Sequence, residues 1–420
     1  MARPSCTKIR SMGNRSAPHA ETGGQHAASH HHAPWSTPPG IERGLWVAVG
    51  AWALVALLGL VALWPGGGDG PAVADEPRVE AQVESVAIQA CAGTSVEDLV
   101  ECRALGLLVT SGPTVGERTT LELAVTSSTG RQPQAGDEIV LLMTVTPDGT
   151  VFYQFADYQR TGSMWVLVVL FAIAVVALGR WRGAGALAGL GLSVAVLVMF
   201  VMPALLDGSS PVVVALVGSS AIAFASLYLA HGVSSSTNVA LLSTLSSLAL
   251  TGLLAWAFIE LTTLTGLSDE NALFLDAMGV HLDPRGLLLA GVVIGSLGVL
   301  DDVTVTQVSA VGELHRAQPG ASLATLYRQA LTIGRDHISS TVNTLFLAYA
   351  GAALPLLLLF TETGAGITDV LTREVVAIEV VRTLVGSIGL IASVPISTWL
   401  AAAVLTRRSG APAPAKAGAG

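Results

Sequence analysis

Two adjacent carboxylates, Asp301 and Asp302, lie deep inside the apolar segment 286–308. Ionisable groups at such positions are costly and mark ion pathways, proton relays or specific partners. Steps of three and four residues place one carboxylate, three glycines and two hydroxyls on one helical stripe: Gly291, Gly295, Gly298, Asp302, Thr306 and Ser309. Because glycines let another helix approach closely, we expect Asp302 to face protein or a water-filled cavity. A carboxylate satisfied by the N-terminus of a neighbouring helix is the structural alternative.

A second polar face begins at Arg335-Asp336-His337. Ser340 and Asn343 follow Asp336 by four and seven residues, so a helix aligns the three side chains. We expect Asn343 to bond across helices, because a bare amide inside a membrane is costly; Asp336 also suits the first turn of a helix. The candidate residues of a pathway or ion-coupling site are therefore Asp302, Asp301, Asn343, Asp336, His337, Ser340 and Thr306.

Nitrogen and oxygen ligands for a divalent metal occur near the same segments. The candidates by residue type are His231, His315, His337 and Glu313. No close spacing such as HExxH joins them, and three ordinary histidines at the membrane surface are the alternative. The sequence specifies neither a metal nor a cofactor.

The composition places these residues in a membrane. Of the 420 residues, 51% are hydrophobic and 12% charged, and the mean hydropathy is +0.63; a soluble domain carries about 25% charged residues. The run 45–64 contains no charge, and about 20 apolar residues cross the hydrocarbon core as a helix. The net charge of −9 gives no reason to expect a nucleic-acid partner.

Apolar runs separated by turn residues predict an α-helical membrane protein with about eight spans. We predict a disordered cytoplasmic tail at 1–44, an anchor at 45–64, an extracytoplasmic domain at 65–163, a seven-span core at 164–404 and a disordered tail at 405–420. The core spans are predicted at 164–180, 184–206, 211–230, 238–264, 286–308, 338–360 and 376–404. Ala72-Val73-Ala74 is typical of a signal-peptidase site. The apolar run is long and lies well before that site, so an uncleaved anchor is favoured.

Residues 65–163 differ in character from the rest of the chain. Alternation of apolar and polar residues in 79–88, 119–125 and 138–145 is typical of half-buried strands and predicts a small β-rich barrel or sandwich. Fourteen acidic residues against five arginines suit a solvated domain. Cys91 and Cys102 lie in this domain, where a disulfide can form outside the cytoplasm; two buried free thiols are the alternative.

Arginine and lysine residues in the short loops orient the spans. If both termini are in the cytoplasm, nearly all arginine and lysine residues outside the β-rich domain are cytoplasmic. The outer short loops then hold only Arg285 and Arg373. The sequence therefore predicts a multi-pass protein of a bacterial plasma membrane with cytoplasmic N- and C-termini. Glu379 and Arg382, three residues apart, are expected to form an ion pair in the last span.

Several blocks of the sequence resemble the YibE/F-like family of bacterial membrane proteins. They are GSLGVLDDVTVT at 295–306, ELH at 313–315, IGRDHISSTVNTLFLAYAG at 333–351, DYQR at 157–160 and YLAHGVSSSTN at 228–238. The resemblance covers roughly 80–404 and implies an extracytoplasmic β domain followed by a multi-span core. It implies no settled activity and no catalytic residues.

His231–Asn238 and His337–Asn343 are alike, and both open predicted spans. The likeness indicates a repeated hairpin of the kind that builds transporter cores, although helix starts rich in serine and threonine are also common caps.

The leading hypothesis for function is a transporter or permease of a small solute or ion that works through intramembrane carboxylates. Ser243, Ser247 and Thr251 would line its cavity. The alternative is a non-transporting scaffold whose outer domain binds an envelope partner. No GxSxG elbow or Walker A motif supports an enzyme or an ATP-driven pump. The substrate and the oligomeric state stay open.

Overall fold

The computed structural model describes residues 35, 38–66, 77–90, 101–124, 131–268, 274, 283–362 and 366–407, which belong to one compact unit. The helices are α1 Pro39–Ala62, α2 Thr161–Val196, α3 Met202–Leu206, α4 Pro211–His231, α5 Ser235–Leu261, α6 Pro284–Ala317, α7 Leu323–Ala352, α8 Leu354–Glu362, α9 Ile367–Thr372 and α10 Glu374–Thr406. A π-helical turn, Leu197–Val201, joins α2 to α3. The strands are β1 Arg78–Ala90, β2 Glu101–Val109, β3 Arg118–Ala124, β4 Glu138–Val145 and β5 Val151–Tyr158.

Six helices in the described residues are long and apolar enough to cross a membrane. They are α1, the run Thr161–Leu206, α4, α5, α6 and α10. The long helix α7 is not among them, and its first half carries Arg328, Arg335 and Asp336. The six apolar helices indicate a membrane protein that contacts a lipid bilayer.

The run Thr161–Leu206 is broken at Arg180. As one straight helix its 46 residues would reach about 69 Å, more than twice the hydrocarbon core of ~30 Å. Arg180 has φ 52° and ψ −132°, outside the helical region. A Cβ atom placed on Gly183 would fall on the carbonyl oxygen of Val175, whereas residues eight apart in a straight helix lie about 12 Å apart. The chain therefore turns back here, at the loop predicted between 164–180 and 184–206.

Helix α7 begins well before the predicted start of its span at residue 338. Ser322 caps the helix by accepting a hydrogen bond from the backbone N–H of Thr325 at 3.2 Å. The helix ends at Ala352, close to Pro355, whose ring cannot continue an ordinary helix. The predicted span 338–360 is therefore divided between α7 and α8. Asp336 lies inside a helix, so its interpretation as a first-turn residue is wrong.

Helix α6 is the centre of the bundle and packs against α4, α5, α7 and α10. The second part of α2 lies close to α4, because a Cβ placed on Gly189 would be 3.2 Å from the Cα of Ser226. The first part of α2, before Arg180, is exposed along nearly its whole length. Its apolar side chains are therefore available to lipid.

The five strands form one curled antiparallel sheet in the order β3-β2-β1-β4-β5. Alternate residues on the three inner strands are buried, with Val79, Leu105 and Leu141 fully enclosed. The three strand segments predicted from alternation are confirmed. The pattern did not single out β2 and β5, which complete a single sheet rather than a sandwich of two.

Contacts pair helix ends that the predicted topology places on the same side. At one end, the backbone N–H of Gly66 donates to Asp207 at 3.2 Å, and Arg285 pairs with Glu260 at 3.7 Å. At the other end, one apolar cluster joins α1, α5, α6, α7 and α10 through Leu45, Val239, Val308, Leu326 and Leu405. The number of spans and their orientation stay predictions.

Candidate functional site

Asp301 lies in the middle of α6 and faces α4. The Ser226 hydroxyl donates a hydrogen bond to its Oδ2 at 3.0 Å. Its Oδ1 is buried and has no hydrogen-bond partner in the described part of the chain. A buried polar atom without a partner is costly, and a buried charge more so. Asp301 is therefore the first candidate for a functional group.

Asp302 points about 100° away from Asp301 around the same helix and is exposed. The other members of its predicted stripe are exposed as well: Gly291, Gly295, Gly298, Thr306 and Ser309. A Cβ atom placed on Gly298 would meet nothing within 4 Å. The expectation that these glycines bring another helix into close contact is therefore wrong. The stripe is an open surface, called the α6 face below.

Groups from α7 and α10 border one end of the α6 face. A Cβ atom placed on Gly295 would lie 3.5 Å from the Tyr349 hydroxyl, and one on Gly291 would lie 3.9 Å from Arg382. Arg382 pairs with Glu379 at 2.5 Å, which confirms the predicted ion pair. An apolar cavity of about 230 Å³ adjoins this pair, lined by side chains of α7 to α10.

His231, the last residue of α4, lies within electrostatic range of both Asp302 and Arg182. Asp302 therefore has a group that can carry positive charge, His231, in its surroundings. Asp301, its neighbour in sequence, faces the uncharged Ser226 instead. The two carboxylates thus have different environments: Asp302 is exposed near a histidine, and Asp301 is half-buried beside a hydroxyl.

A layer of buried hydroxyls and amides crosses the bundle near Asp301. Thr244 of α5 and Thr304 of α6 share a hydrogen bond of 2.6 Å. Gln307 donates to the carbonyl oxygen of Ala330 at 2.9 Å and to the Thr398 hydroxyl at 2.7 Å, which joins α6 to α7 and α10. These residues could not be predicted from the sequence, because single polar residues on different helices show no common spacing.

Ser243, Ser247 and Thr251, expected to line a cavity, are fully buried. The Ser243 hydroxyl donates to the carbonyl oxygen of Val239 at 2.7 Å. A Cβ atom placed on Gly389 of α10 would collide with Thr251. This side of α5 is therefore a packing surface rather than a cavity wall, and the expectation is corrected.

Some residues in the blocks that carry the family resemblance hold helices together. Tyr228 donates to Oδ1 of Asn238 at 2.7 Å, which connects α4 to α5. A Cβ atom placed on Gly334 would lie 2.5 Å from a methyl group of Val394 and 3.0 Å from Oε1 of Gln307. Gly334 therefore lets α7 approach α6 and α10 closely.

The likeness between His231–Asn238 and His337–Asn343 does not extend to their structures. The first segment covers the end of α4 and the start of α5, where Ser234 caps the helix. The second lies entirely inside α7. The two segments do not open helices in the same way, so the structure does not support a repeated hairpin.

The other polar residues predicted on α7 make no hydrogen bond to the carboxylates in the described residues. Asp336, Ser340 and Asn343 are exposed, and His337 is half-buried. Nε2 of His337 has no hydrogen-bond partner in the described ranges. Asn343 makes no hydrogen bond there either, contrary to the expectation that it bonds across helices. Most of these α7 residues are therefore on the exposed side of their helix.

The candidate metal ligands are not assembled into a site. Within the described residues, no group of three or more histidine, cysteine, aspartate or glutamate side chains could hold a metal ion. Glu313 pairs with Arg316 at 2.5 Å. The metal hypothesis for His231, His315, His337 and Glu313 therefore gains no support.

Cys102 is buried near the start of β2 and is disulfide-bonded. Its neighbour Glu101 pairs with Ala90, the last residue of β1. Cys91 follows Ala90 directly in sequence but lies outside the described residues. The bridge between Cys91 and Cys102 therefore stays a prediction, which the strand pairing supports.

A protein-family model described as YibE/F-like protein matches residues 167–407 of the chain. The match contains Ser226, both carboxylates and the α6 face. It begins after the β sheet and the DYQR block at 157–160, so it is shorter than the range 80–404 to which the resemblance was extended. No curated protein and no solved structure matches the chain.

Proposed function

The chain belongs to the YibE/F-like family, and we propose that it is a transporter or permease for a small solute or ion in a bacterial plasma membrane. The pathway in this proposal runs along the α6 face, with Asp302 on its floor. Asp301 serves as a second, enclosed carboxylate on the same helix.

The exposure of Asp302 on an apolar helix carries the proposal. Apart from the two aspartates, no charge occurs between Arg285 and Glu313, so hydrocarbon surrounds this part of the bundle. A charged side chain at the centre of a lipid-facing helix costs about 2.5–3.5 kcal/mol or more. The α6 face is therefore expected to be covered by water or by protein rather than by lipid.

The dimensions of the α6 face suit a pathway across the membrane. Its ends, Gly291 and Ser309, are 18 residues apart, or about 27 Å along a helix, against a hydrocarbon core of ~30 Å. Three of its members are glycines, which have no side chain, so the surface leaves room for a solute. Polar groups stand beside it, with Tyr349 towards one end and His231 near Asp302.

The full arrangement in this proposal has eight spans and cytoplasmic termini. Six apolar helices supply the basis. The turn at Arg180 divides one of them into two spans, and α7 together with α8 forms the remaining one. The distribution of arginine and lysine over the loops sets the orientation.

A scaffold is the second candidate, and the base of the β sheet favours it. A cavity of about 450 Å³ there is lined by Arg131, Asp137, Tyr158 and Arg160 among others. The two arginines lie 5.8 and 5.9 Å from the centre of the Tyr158 ring. In a scaffold this polar cavity would bind an envelope partner, and protein would cover the α6 face.

Water accessibility of the α6 face tests the proposal. In a Cys6→Ser background that keeps the other cysteines, Thr306→Cys should react readily with a hydrophilic thiol reagent. Leu170→Cys is the matched control, because Leu170 is 62% exposed on the first part of α2, where lipid is expected. It should react slowly.

Asp302→Asn should insert normally and abolish the growth phenotype of the wild-type gene.

Two outcomes contradict transport along this face. If Thr306→Cys is as unreactive as Leu170→Cys, the face is not wet. If Thr306→Cys instead forms cross-links to another protein copy, and Asp302→Asn is silent while deletion of the β sheet abolishes function, the scaffold is correct.

A further inference from the structure

The carboxyl group of the half-buried Asp301 lies between α4 and α6, with α2 directly behind its partner Ser226. Ser226 donates to Oδ2 of Asp301 at 3.0 Å, and Gly189 of α2 brings that helix to Ser226. Oδ1 of Asp301 is closed off from solvent and unpartnered within the described residues. The sequence pattern favoured Asp302 as the functional carboxylate, but Asp301 has a buried oxygen without a partner in the described residues.

The hydroxyl of Ser226 has one proton and two acceptors. Besides Oδ2 of Asp301, the carbonyl oxygen of Ala223 lies 3.4 Å from its oxygen. If Asp301 is charged, Ser226 must donate to Oδ2, and Oδ1 keeps negative charge without a partner. If Asp301 carries a proton on Oδ2, that O–H donates to Ser226, and Ser226 donates to Ala223. Only an uncharged carbonyl oxygen then lacks a partner, which costs far less than a buried charge.

In the part of the chain that the structure describes, no positive group acts on a charge at Asp301. Among the described residues, the charge that acts on it is that of Asp302, which repels a second negative charge. The helix α5 carries no titratable residue between Ser235 and Ile259. The titratable groups on the other elements around α6 include Arg182, Tyr228, His231, His337, Tyr349, Glu379 and Arg382.

A metal cation fits the enclosed site poorly. Hard divalent cations take about six oxygen ligands or more, whereas Asp301 has only the Ser226 hydroxyl beside its own two oxygens. A proton needs one oxygen and one acceptor, which is the arrangement present.

We propose that Asp301 holds a proton in this conformation and is the proton-coupling residue of the transporter. When the site opens to water, the O–H bond of Asp301 breaks, the proton passes to a water molecule, and Ser226 turns its own proton to the carboxylate. The coupling role rests on the proposed function, while the protonation of Asp301 does not.

Infrared spectroscopy of the full chain in lipid nanodiscs, with aspartate labelled by carbon-13, tests the protonation directly. The carbonyl band of a protonated carboxylic acid should be present at neutral pH. It should disappear in Asp301→Asn and persist in Asp302→Asn. Ser226→Ala should shift the band, because the partner of the acid is lost. Ser219→Ala is the matched control on α4, since its buried hydroxyl has no partner in the described residues, and it should leave the band in place.

The measurement separates this inference from transport itself. A spectrum in which neither Asp301→Asn nor Ser226→Ala alters an acid band would overturn the inference, whatever the growth phenotype shows. Loss of the wild-type band when sodium replaces potassium at constant pH would assign a cation to the site and would also overturn it. If Asp301→Asn does not fold, Ser226→Ala decides the matter. If the acid band behaves as expected but Thr306→Cys does not react with the hydrophilic reagent, Asp301 is protonated and transport along the α6 face is refuted.

Discussion

The substitution Gly334→Ala should destabilise the bundle, and a second substitution should relieve most of the damage. Gly334 lies in the block 333–351, where α7 crosses α10. A Cβ atom there would lie 2.5 Å from Cγ1 of Val394 and 3.0 Å from Oε1 of Gln307. Van der Waals contact between carbon atoms needs about 3.5–4.0 Å. Val394 is buried, so it has little room to move.

The size of the loss in unfolding free energy can be worked out for each single variant and for the double variant. Overpacking of a core costs about 1–3 kcal/mol, while alanine gains roughly 0.5–1 kcal/mol over glycine in a helix, so Gly334→Ala should cost about 1–2 kcal/mol. Val394→Ala removes two buried methyl groups and should cost a similar amount. The double variant adds one carbon and removes two, a net loss of one methylene like that of Ile→Val, which costs about 0.5–1.5 kcal/mol. The coupling between the two sites should therefore be at least ~1 kcal/mol.

Reversible unfolding in mixed micelles measures these free energies. The control is Gly351→Ala, at the other end of the same helix, where a Cβ atom meets nothing within 4 Å. This variant should be neutral or slightly stabilising. If the effects of Gly334→Ala and Val394→Ala simply add, or if Gly334→Ala is as harmless as Gly351→Ala, then α7 does not approach α10 at this point. The described packing would then be refuted.

The remaining predictions concern topology and the disulfide. In intact cells, Thr129→Cys should react with a membrane-impermeant reagent and Ala411→Cys should not; the reverse pattern would contradict the orientation. Non-reducing mass spectrometry should find Cys102 bridged to Cys91, and two free thiols in protein from an oxidising compartment would count against the pairing.

Local patterns predicted the parts of the fold that one segment determines by itself. The alternation of apolar and polar residues located β1, β3 and β4, because a strand with one buried face has an apolar residue at every second position. The turn at Arg180 was also located, because charge interrupts two apolar runs there. The start of α7 at Leu323 was missed, because an amphipathic helix can precede a span without any change in local pattern. The start of the helix therefore does not coincide with the start of the apolar segment.

The candidate site was only partly predictable, because it depends on which helices meet. The sequence identified Asp301 and Asp302 as unusual, but it could not show that Ser226 of α4 faces the first of them. Gln307 was missed for the same reason, since its partners Ala330 and Thr398 lie on two other helices. Polar groups that bond across a bundle have no periodic relation along the chain.

The α6 face shows how one sequence pattern can have two physical meanings. Glycines at steps of three and four residues can let a second helix pack closely, or they can form the low floor of a groove. The carboxylate on the stripe distinguishes the two. In a tight helix contact, Asp302 would need a partner against its charge, and no stripe member offers one. On an open face, water and the nearby His231 can serve instead. Adjacent residues on a helix point to different surroundings, and in the proposed transporter Asp302 faces the solute while Asp301 holds the proton.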